Sequence, residues 1–283
     1  MSHGAYAGRV QPVDWPQSAW DGHLLLAYVS EQDRRSGVAA WVRRGLELGA
    51  KILYVERPDV PLDRSLTAVL SERKVDSVPA MGVGQLQVVD SVREAVDPAW
   101  QASVVDEALV AGYPTVRLSG EASTVWTVTS PLEHLQVERA ADTLCRTRSV
   151  SMMCQYAARE ASSTLQEACA VHSAGLRESL LHTVPTPDGV AVAGEVDSSN
   201  EGILRSALAG ACADLLEGLG AFVVDLSRLR FMDVSGARAL LTATADHRRR
   251  GGVVRLLAPQ PAVDRLLRLL DLDRVDGFIL EGA

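Results

Sequence analysis

The sequence predicts an α/β protein in which helices cover a mostly parallel sheet. Apolar, β-rich runs alternate with segments of helical spacing through the first half, and the alternation resumes after a proline-containing break near residue 185. A chain of 283 residues is long enough for two ordinary domains. Repeated strand–helix alternation is typical of parallel sheets, because parallel neighbours are joined by crossover helices.

Five apolar runs predict the strands of the first half, namely residues 23–30, 50–57, 86–91, 115–121 and 150–156. Apolar residues recur every three or four positions between these runs, as in SGVAAWVRRGLELG, where Gly49 is expected to end a helix. A second such helix has Pro98 just inside its start and Gly112 at its end.

The segment HTVPTPDGV, residues 182–190, predicts a boundary, because two prolines and Asp188-Gly189 interrupt any apolar period. We expect an N-terminal domain over 18–182, an exposed linker over 183–189 and a C-terminal domain over 190–283, with independently folding halves. The elements predicted after the linker are strands over 190–199, 221–229 and 253–259 and helices over 200–220, 235–252 and 261–272.

Composition narrows the functional classes. The chain is 47% hydrophobic and 23% charged, with a formal net charge of -8 and no Lys/Arg-rich block, so neither nucleic acid nor a membrane is an expected partner. The basic run Arg248–Arg250 falls at a predicted helix end, where it complements the helix dipole. The N-terminus lacks a signal-peptide pattern and no apolar run has membrane-spanning length, so we expect a cytoplasmic protein.

The four cysteines, Cys145, Cys154, Cys169 and Cys212, show no CxxC and no regular spacing. They are expected to serve as small buried apolar residues, with metal ligation or redox sensing as the alternative, and we expect neither a metal nor a cofactor. His172 is expected to be a helix-surface or partly buried histidine, with a role as a ligand or pH sensor as the alternative.

The stretch RFMDVSGARALL, residues 230–241, places Ser235 and Gly236 at a predicted helix start, two residues after Asp233. A phosphate on Ser235 would meet the free N–H groups of that helix start. It would also add a charge of roughly −1.5 to −2 beside Asp233 and repel any partner that accepts a neutral hydroxyl. The alternative is simple N-capping of the helix.

Residues 194–197 (GEVD), 223–241 and 251–272 together resemble the STAS domain of anti-sigma-factor antagonists, whose fold is a small sheet flanked by helices. The resemblance implies that Ser235 is phosphorylated by an anti-sigma factor that is itself a serine kinase, and that the unphosphorylated form binds this kinase. The resemblance also implies that Asp233, Gly236 and Asp197 lie on the partner-binding surface. Val234 departs from the family pattern, which usually has another hydroxyl residue there.

The first half, roughly residues 18–182, resembles the MEDS sensory domain of methanogen and methylotroph regulators, through segments such as HLLLAYVSEQD and PLEHLQVERAADTL. This resemblance implies a RecA-like α/β sandwich with a degenerate P-loop. The loop VSEQDRRSG independently lacks GxxxxGK[ST], so we expect no productive ATP binding. The expected input is an unidentified small-molecule or protein signal.

Candidate ligand-binding residues lie at predicted strand ends, because ligands of doubly wound sheets bind beyond the carboxyl ends of the strands. The candidates are His23, Tyr28, Glu56, Glu121 and Tyr156. The alternative for each is an ordinary polar group that satisfies a loop.

The favoured function is therefore an anti-sigma factor antagonist that is switched by serine phosphorylation and carries a sensory domain. A non-phosphorylated scaffold or sensor subunit of a signalling complex is the alternative. The chain lacks G-x-S-x-G, H-E-x-x-H and G-x-G-x-x-G, so we expect no enzymatic activity. The oligomeric state stays open, with a homodimer among the alternatives.

Overall fold

The computed structural model describes residues 20–158, 162–214 and 220–282. Their strands form one sheet of eleven strands. The strands are β1 His23–Tyr28, β2 Lys51–Val55, β3 Leu86–Val89, β4 Val116–Glu121, β5 Val150–Ala157, β6 Leu176–Arg177, β7 Leu181–Thr186, β8 Gly189–Val196, β9 Ala221–Met232, β10 Val253–Leu257 and β11 Phe278–Glu281.

Helices flank this sheet on both faces. They are α1 Glu31–Glu47, α2 Leu66–Glu72, α3 Val78–Gly82, α4 Val92–Ala95, α5 Pro98–Val110, α6 Ala122–Val125, α7 Pro131–Thr147, α8 Ser162–Val171, α9 Glu201–Asp214, α10 Val234–Ala243, α11 Ala245–Arg249 and α12 Pro261–Leu269. Two 3₁₀ turns span Leu62–Arg64 and Leu272–Arg274. Within the described ranges, every helix is too short or too polar to cross a bilayer.

The sheet has the strand order β11-β10-β9-β8-β7-β6-β1-β5-β4-β2-β3. Every neighbouring pair is parallel except β6–β7 and β7–β8, which are antiparallel. This confirms the predicted α/β class with a mostly parallel sheet. The predicted strands of the first half all form, whereas the short β6, the hairpin strand β7 and the edge strand β11 were not predicted from the sequence.

Capping residues and a buried threonine determine where the helices near the candidate sites begin and end. The α1 helix follows β1 after two residues and begins with a capping box formed by Ser30 and Asp33. Its first turn therefore presents acidic side chains where a P-loop would present a lysine. The predicted single helix over 235–252 is divided at the buried Thr244, whose hydroxyl donates a hydrogen bond to the Leu240 carbonyl (2.7 Å).

The predicted linker at residues 183–189 is a β-hairpin in the structure. β7 and β8 pair antiparallel through Pro185↔Val190 and Thr186↔Gly189, with Pro187-Asp188 at the turn. The Asp188 carbonyl accepts a hydrogen bond from the Val223 amide (2.9 Å), which ties the turn to β9. The prolines and Asp-Gly thus mark a tight turn inside the sheet, and the expected exposed connector is wrong.

One hydrophobic core continues across the two halves. It contains Leu25 and Tyr156 from the first half together with Leu208 and Phe222 from the second. Helix α8 packs closely on α9 at Gly210, where a Cβ atom would lie 2.7 Å from the Gln166 carbonyl oxygen. Glycine therefore permits a backbone approach that a side chain would block.

We predict that both halves unfold as one cooperative unit, because they share a sheet and a core. All five tryptophans precede residue 127, so their fluorescence reports only the first half, whereas far-UV circular dichroism reports both. The two signals should give coincident urea transitions. A circular dichroism transition at urea concentrations where the fluorescence does not change would show that the two halves unfold independently.

A substitution at the α8–α9 contact sharpens this test. Gly210→Leu should lower the free energy of unfolding measured by tryptophan fluorescence by about 1–3 kcal/mol. The reason is that the leucine side chain would overpack the contact between α9 of the second half and α8 of the first half. Gly202→Ala in the same helix meets only the Arg205 side chain at 3.8 Å and is the matched control.

Candidate functional site

The predicted partner-binding residues meet at the carboxyl ends of β8 and β9. Val196 pairs with Met232 as the last residues of these strands, and the Asp233 amide donates a hydrogen bond to the Val196 carbonyl (3.0 Å). Asp197 and Asp233 are therefore neighbours at one sheet edge, with Ser235 at the start of α10. We call Asp197, Phe231, Asp233, Val234 and Ser235 the serine face.

Asp233, not Ser235, caps α10. Its carboxylate accepts a hydrogen bond from the Gly236 amide (3.0 Å), and its extended backbone is that of an N-cap residue. The Ser235 side chain is half-buried and makes no hydrogen bond to another described residue. The capping alternative thus applies to Asp233, and the Ser235 hydroxyl is not needed to cap the helix.

Gly236 allows α10 to begin directly over the sheet. A Cβ atom at this position would lie 2.8 Å from both Met232 Cγ and Val196 Cγ1. Gly236 is therefore required for the position of Ser235 and is itself buried. Its role is to shape the face, which differs from the direct partner contact that the resemblance implied.

The serine face combines anionic and apolar groups. Asp197 accepts hydrogen bonds from the Ser199 amide (2.7 Å) and hydroxyl (2.6 Å), which hold the pKa of this carboxyl below its usual value. Val234, next to Ser235, is 51% exposed, and Phe231, near the end of β9, is 48% exposed, although both are large apolar residues. Exposed apolar groups rimmed by polar ones are typical of a protein-binding surface.

Three of the five candidate ligand residues meet at the carboxyl edge of the first half. Tyr28 donates a hydrogen bond to Glu121, and Glu56 accepts one from the Leu66 amide at the start of α2 (2.6 Å). Glu56 and Glu121 line a cavity of about 120 Å³ that also contains the Arg34 and Arg64 side chains. This volume is well below the roughly 300 Å³ of a typical small-molecule site.

His23 and Tyr156 lie elsewhere, on the sheet face that α7 and α8 cover. His23 opens β1, so it occupies the amino end of that strand and cannot join Tyr28. Both residues instead contact Glu138 of α7, which is 4% exposed. Glu138 Oε2 lies 3.1 Å from His23 Nε2, and Glu138 Oε1 accepts a hydrogen bond from the Tyr156 hydroxyl (2.6 Å).

Further buried groups surround the same carboxylate. The Cys154 thiol donates a hydrogen bond to Glu138 Oε2 (3.2 Å), and His172 Nε2 lies 3.4 Å from that oxygen. His134 Nε2 lies 2.7 Å from the Tyr156 hydroxyl oxygen. His172 follows α8 and is 1% exposed, so the expected surface or partly buried position is wrong. Cys154 is likewise a polar partner and not a plain apolar filler.

The charges in this cluster follow from its burial and contacts. Burial lowers the pKa of His23, but its contacts with the Asp142 and Glu138 carboxylates outweigh burial and raise this pKa to about 9. Burial raises the pKa of Glu138, but the neighbouring His172 and His23 hold this pKa well below its usual range. Burial and the charge of His23 lower the pKa of His172 to about 4. The cluster therefore holds an ionised carboxylate beside one charged imidazole.

A cavity of about 430 Å³ opens onto this cluster. Its walls are mainly apolar and its inner end is formed by Glu138, His134 and Tyr156, which matches the usual architecture of a small-molecule site. The lining residues are Trp126, Thr129, Pro131, His134, Leu135, Glu138, Tyr156, Thr164, Glu167 and Ala168. A larger groove of about 960 Å³ between α7, α8 and the turn after β7 is lined by Asp142 but not by Glu138, His134 or Tyr156.

The central residues of this cluster were not predicted from the sequence, although a signal was present. His134, Glu138 and Asp142 are spaced by four residues in α7, so they share one helix face. Cys154 and Tyr156 are two residues apart in β5 and share one strand face. The two patterns face each other in the structure.

We predict that Glu138→Ala lowers the free energy of unfolding by about 3–5 kcal/mol, because it leaves buried partners without their counter-charge. Urea denaturation followed by circular dichroism measures this loss. Glu167→Ala removes an exposed carboxylate at the same cavity and should change stability by less than about 0.5 kcal/mol. Equal effects of the two substitutions would argue against a stabilising charge network.

Each half of the chain matches the model of a known protein family. The model of the MEDS domain, described as the methanogen/methylotroph, DcmR sensory domain, matches residues 22–173. The model described as "Mlab, STAS domain" matches residues 180–281. These matches confirm both resemblances seen in the sequence.

Two solved structures are similar to part of the chain. The first is the anti-sigma factor antagonist SpoIIAA in its unphosphorylated form, with 21% identity, a TM-score of 0.29 and coverage of 35% of this chain and 86% of that chain. The second is an anti-sigma factor antagonist from Mycobacterium paratuberculosis, with 25% identity, a TM-score of 0.30 and coverage of 35% and 83%. No curated protein matches the chain.

Proposed function

The chain belongs to the MEDS family and joins this sensory domain to a STAS domain, and from this premise we propose that it is an anti-sigma factor antagonist. In this proposal the unmodified serine face binds an anti-sigma factor that is a serine kinase. Phosphorylation of Ser235 ends the binding, and a signal at the MEDS domain adjusts it. The chain itself acts by binding, in the cytoplasm, and catalyses no reaction.

One observation carries the proposal. The Ser235 hydroxyl stands on a half-apolar surface at a helix start whose cap is already supplied by Asp233. Modifying Ser235 therefore leaves the cap intact and alters the surface alone. A regulated group needs this separation, since a switch that broke the helix would also break the domain.

The proposed switch works through charge. A phosphate on Ser235 would meet the positive end of the α10 dipole, so the modified protein can hold it. The same phosphate would stand near the carboxylates of Asp233 and Asp197 and would give the serine face a concentrated negative charge. A partner that buries Phe231 and Val234 would then have to desolvate this charge, which is costly without a matching cation.

The signal has a structural route to the serine face. Thr164 and Ala168 of α8 line the 430 Å³ cavity, and α8 packs on α9. The buried side chain of Asn200, just before α9, accepts a hydrogen bond from the Asp197 amide (3.0 Å). It also donates to Glu178 Oε2 (3.2 Å), directly after β6. A ligand that shifts α8 would therefore act on groups that hold Asp197 in place.

A scaffold that is never phosphorylated is the second candidate, favoured by Val234 where STAS antagonists usually have a second hydroxyl residue. Both candidates use the same surface. They differ in whether a kinase modifies Ser235, and intact mass after incubation with the co-purifying anti-sigma partner and ATP separates them.

We predict that Ser235→Ala keeps partner binding and abolishes phosphorylation, because alanine preserves a small neutral surface. Ser235→Asp should weaken binding by about 2–5 kcal/mol, since it buries an unpaired carboxylate beside Asp233. Calorimetry with the purified partner gives the affinity, and intact mass gives the modification. Phosphorylated protein should bind more weakly still, because phosphate carries more charge than aspartate.

The outcome that contradicts the switch is equal affinity of the phosphorylated and unmodified forms. A phosphate that the kinase adds to Ser235→Ala would place the modified residue elsewhere. Either result would leave the serine face as a plain binding surface.

We predict that Phe231→Ala weakens partner binding by about 2 kcal/mol or more, because exposed aromatic residues at the centre of an interface dominate its affinity. Ile279→Ala is the matched control, since Ile279 is similarly exposed (46%) on β11, two strands away from β9. Equal losses for the two variants would remove the serine face as the docking surface.

A further inference from the structure

Four potential metal ligands converge inside the sensory half. They come from β1, α7, β5 and the residue after α8, and one ligand atom of each lies within 4.8 Å of all the others. We define the four-donor cluster as His23, Glu138, Cys154 and His172. The chain thus brings two imidazoles, a thiol and a carboxylate from four separate elements to one buried point.

The outer contacts of the two imidazoles orient them as metal ligands. His172 Nδ1 lies 2.7 Å from the Ala168 carbonyl oxygen, so Nδ1 carries the proton and donates it to this acceptor. In the neutral imidazole, Nε2 then holds a lone pair. His23 Nδ1 makes no hydrogen bond but faces Asp142 Oδ1 at 3.5 Å, which leaves its Nε2 on the inner side as well. Metal-binding histidines usually hold their outer nitrogen against a carbonyl or carboxylate, as His172 does by donating a hydrogen bond.

His172 Nε2 is buried without a hydrogen-bond partner. It lies 3.4 Å from Glu138 Oε2, so a nitrogen lone pair faces a carboxylate oxygen. That approach is repulsive unless a second proton or a metal cation lies between the two atoms. The orphaned nitrogen is therefore a second, independent observation that a bound metal cation would explain.

The spacing of the donors fits a tetrahedral ion. Zn–N and Zn–O bonds near 2.1 Å and a Zn–S bond near 2.3 Å separate ligand atoms by about 3.3–3.6 Å. Here Glu138 Oε2 lies 3.1 Å from His23 Nε2 and 3.2 Å from Cys154 Sγ. Cys154 Sγ lies 3.7 Å from His23 Nε2. Small side-chain movements would place all four donors around one ion.

We propose that the four-donor cluster binds one divalent late-first-row transition metal ion, with Zn²⁺ as the representative. Binding would release the proton of the charged His23 imidazole and the proton of the Cys154 thiol to solvent. The resulting two neutral imidazoles, thiolate and carboxylate neutralise a divalent cation, so the buried site would carry no net charge. The thiolate and imidazole donors select against Mg²⁺ and Ca²⁺, which prefer oxygen ligands. This site lies outside the serine face and does not depend on the proposed phosphorylation.

The ion would also lie beside the 430 Å³ cavity. Glu138 belongs both to the four-donor cluster and to the lining of the 430 Å³ cavity. Tyr156 and His134 contact Oε1, the other carboxylate oxygen of Glu138. His172 would tie the end of α8 to the ion, so metal occupancy and the position of this helix are linked.

The full-length protein, freed of metal by a chelator, tests the proposal through Zn²⁺ titration. Calorimetry should show about one equivalent of Zn²⁺ bound, and Zn²⁺ should raise the unfolding temperature. Co²⁺ in place of Zn²⁺ should give a thiolate-to-cobalt charge-transfer absorption. The proposal would be overturned if Zn²⁺ did not bind stoichiometrically. It would also be overturned if the Co²⁺ complex lacked the thiolate-to-cobalt absorption.

Two substitutions assign the site. Cys154→Ser should abolish the charge-transfer absorption, whereas Cys212→Ser, at a buried cysteine of α9, should retain it. His172→Ala should weaken Zn²⁺ binding by about 100-fold or more, since loss of an outer contact alone costs 10–100-fold. An absorption that survives Cys154→Ser, or an unchanged affinity in His172→Ala, would place the metal elsewhere and refute the assignment.

A measurement on the unmodified chain covers the case in which these variants fail to fold. Zinc-edge X-ray absorption of the Zn²⁺ complex should show one sulfur and three nitrogen or oxygen scatterers, at about 2.3 Å and about 2.1 Å. A first shell without sulfur would exclude Cys154 and overturn the proposed ligand set.

Discussion

The pairing of β6 with both of its neighbours is the constraint on which the rest of the structure depends. This two-residue strand pairs in parallel with β1 and antiparallel with β7, so it makes one sheet out of two halves. The turn that follows is held by the buried Glu178 carboxylate, which accepts hydrogen bonds from the Leu180 (2.9 Å) and Leu181 (3.1 Å) amides. Unpaired buried amides would be costly, so this turn has little freedom to open. The sensory and STAS halves are therefore packed as parts of one body.

The two functional regions lie on that body in different chemical settings. The sensory region is a buried carboxylate surrounded by imidazoles, a thiol and a phenol beneath an apolar cavity. The serine face is an exposed strand-to-helix junction whose capping and surface groups are separate residues. A buried polar network has few arrangements in which every group is satisfied, so a ligand or ion that changes one arrangement changes the packing of α8. An exposed hydroxyl, in contrast, can be modified without repacking. The first arrangement suits sensing and the second suits switching.

Much of this organisation could be predicted from the sequence. The strands of the first half, the helix start at Ser235 and the cluster of Asp197 with Asp233 follow from apolar periodicity and motif order. Tyr28, Glu56 and Glu121 meet because carboxyl ends of parallel strands share an edge. The hairpin at Pro185 could not be recognised, because β6 is too short for a period and prolines in β7 imitate a linker. Glu138 went unrecognised because its partners lie far away in the chain, although its helix spacing with His134 and Asp142 was visible. His23 was misplaced for a simpler reason, since it opens its strand and so lies at the opposite edge from Tyr28.

We expect the sensory half and the serine face to form one coupled unit, and linkage makes such coupling reciprocal. Hydrogen exchange measured by mass spectrometry, on the unmodified chain and on the chain with phosphoserine incorporated at position 235, tests this coupling. Phosphoserine should alter protection around α10 and residues 197–201, and also across α8 and β6 in the other half. Changes confined to the residues after 190, with α8 and β6 unaffected, would contradict it.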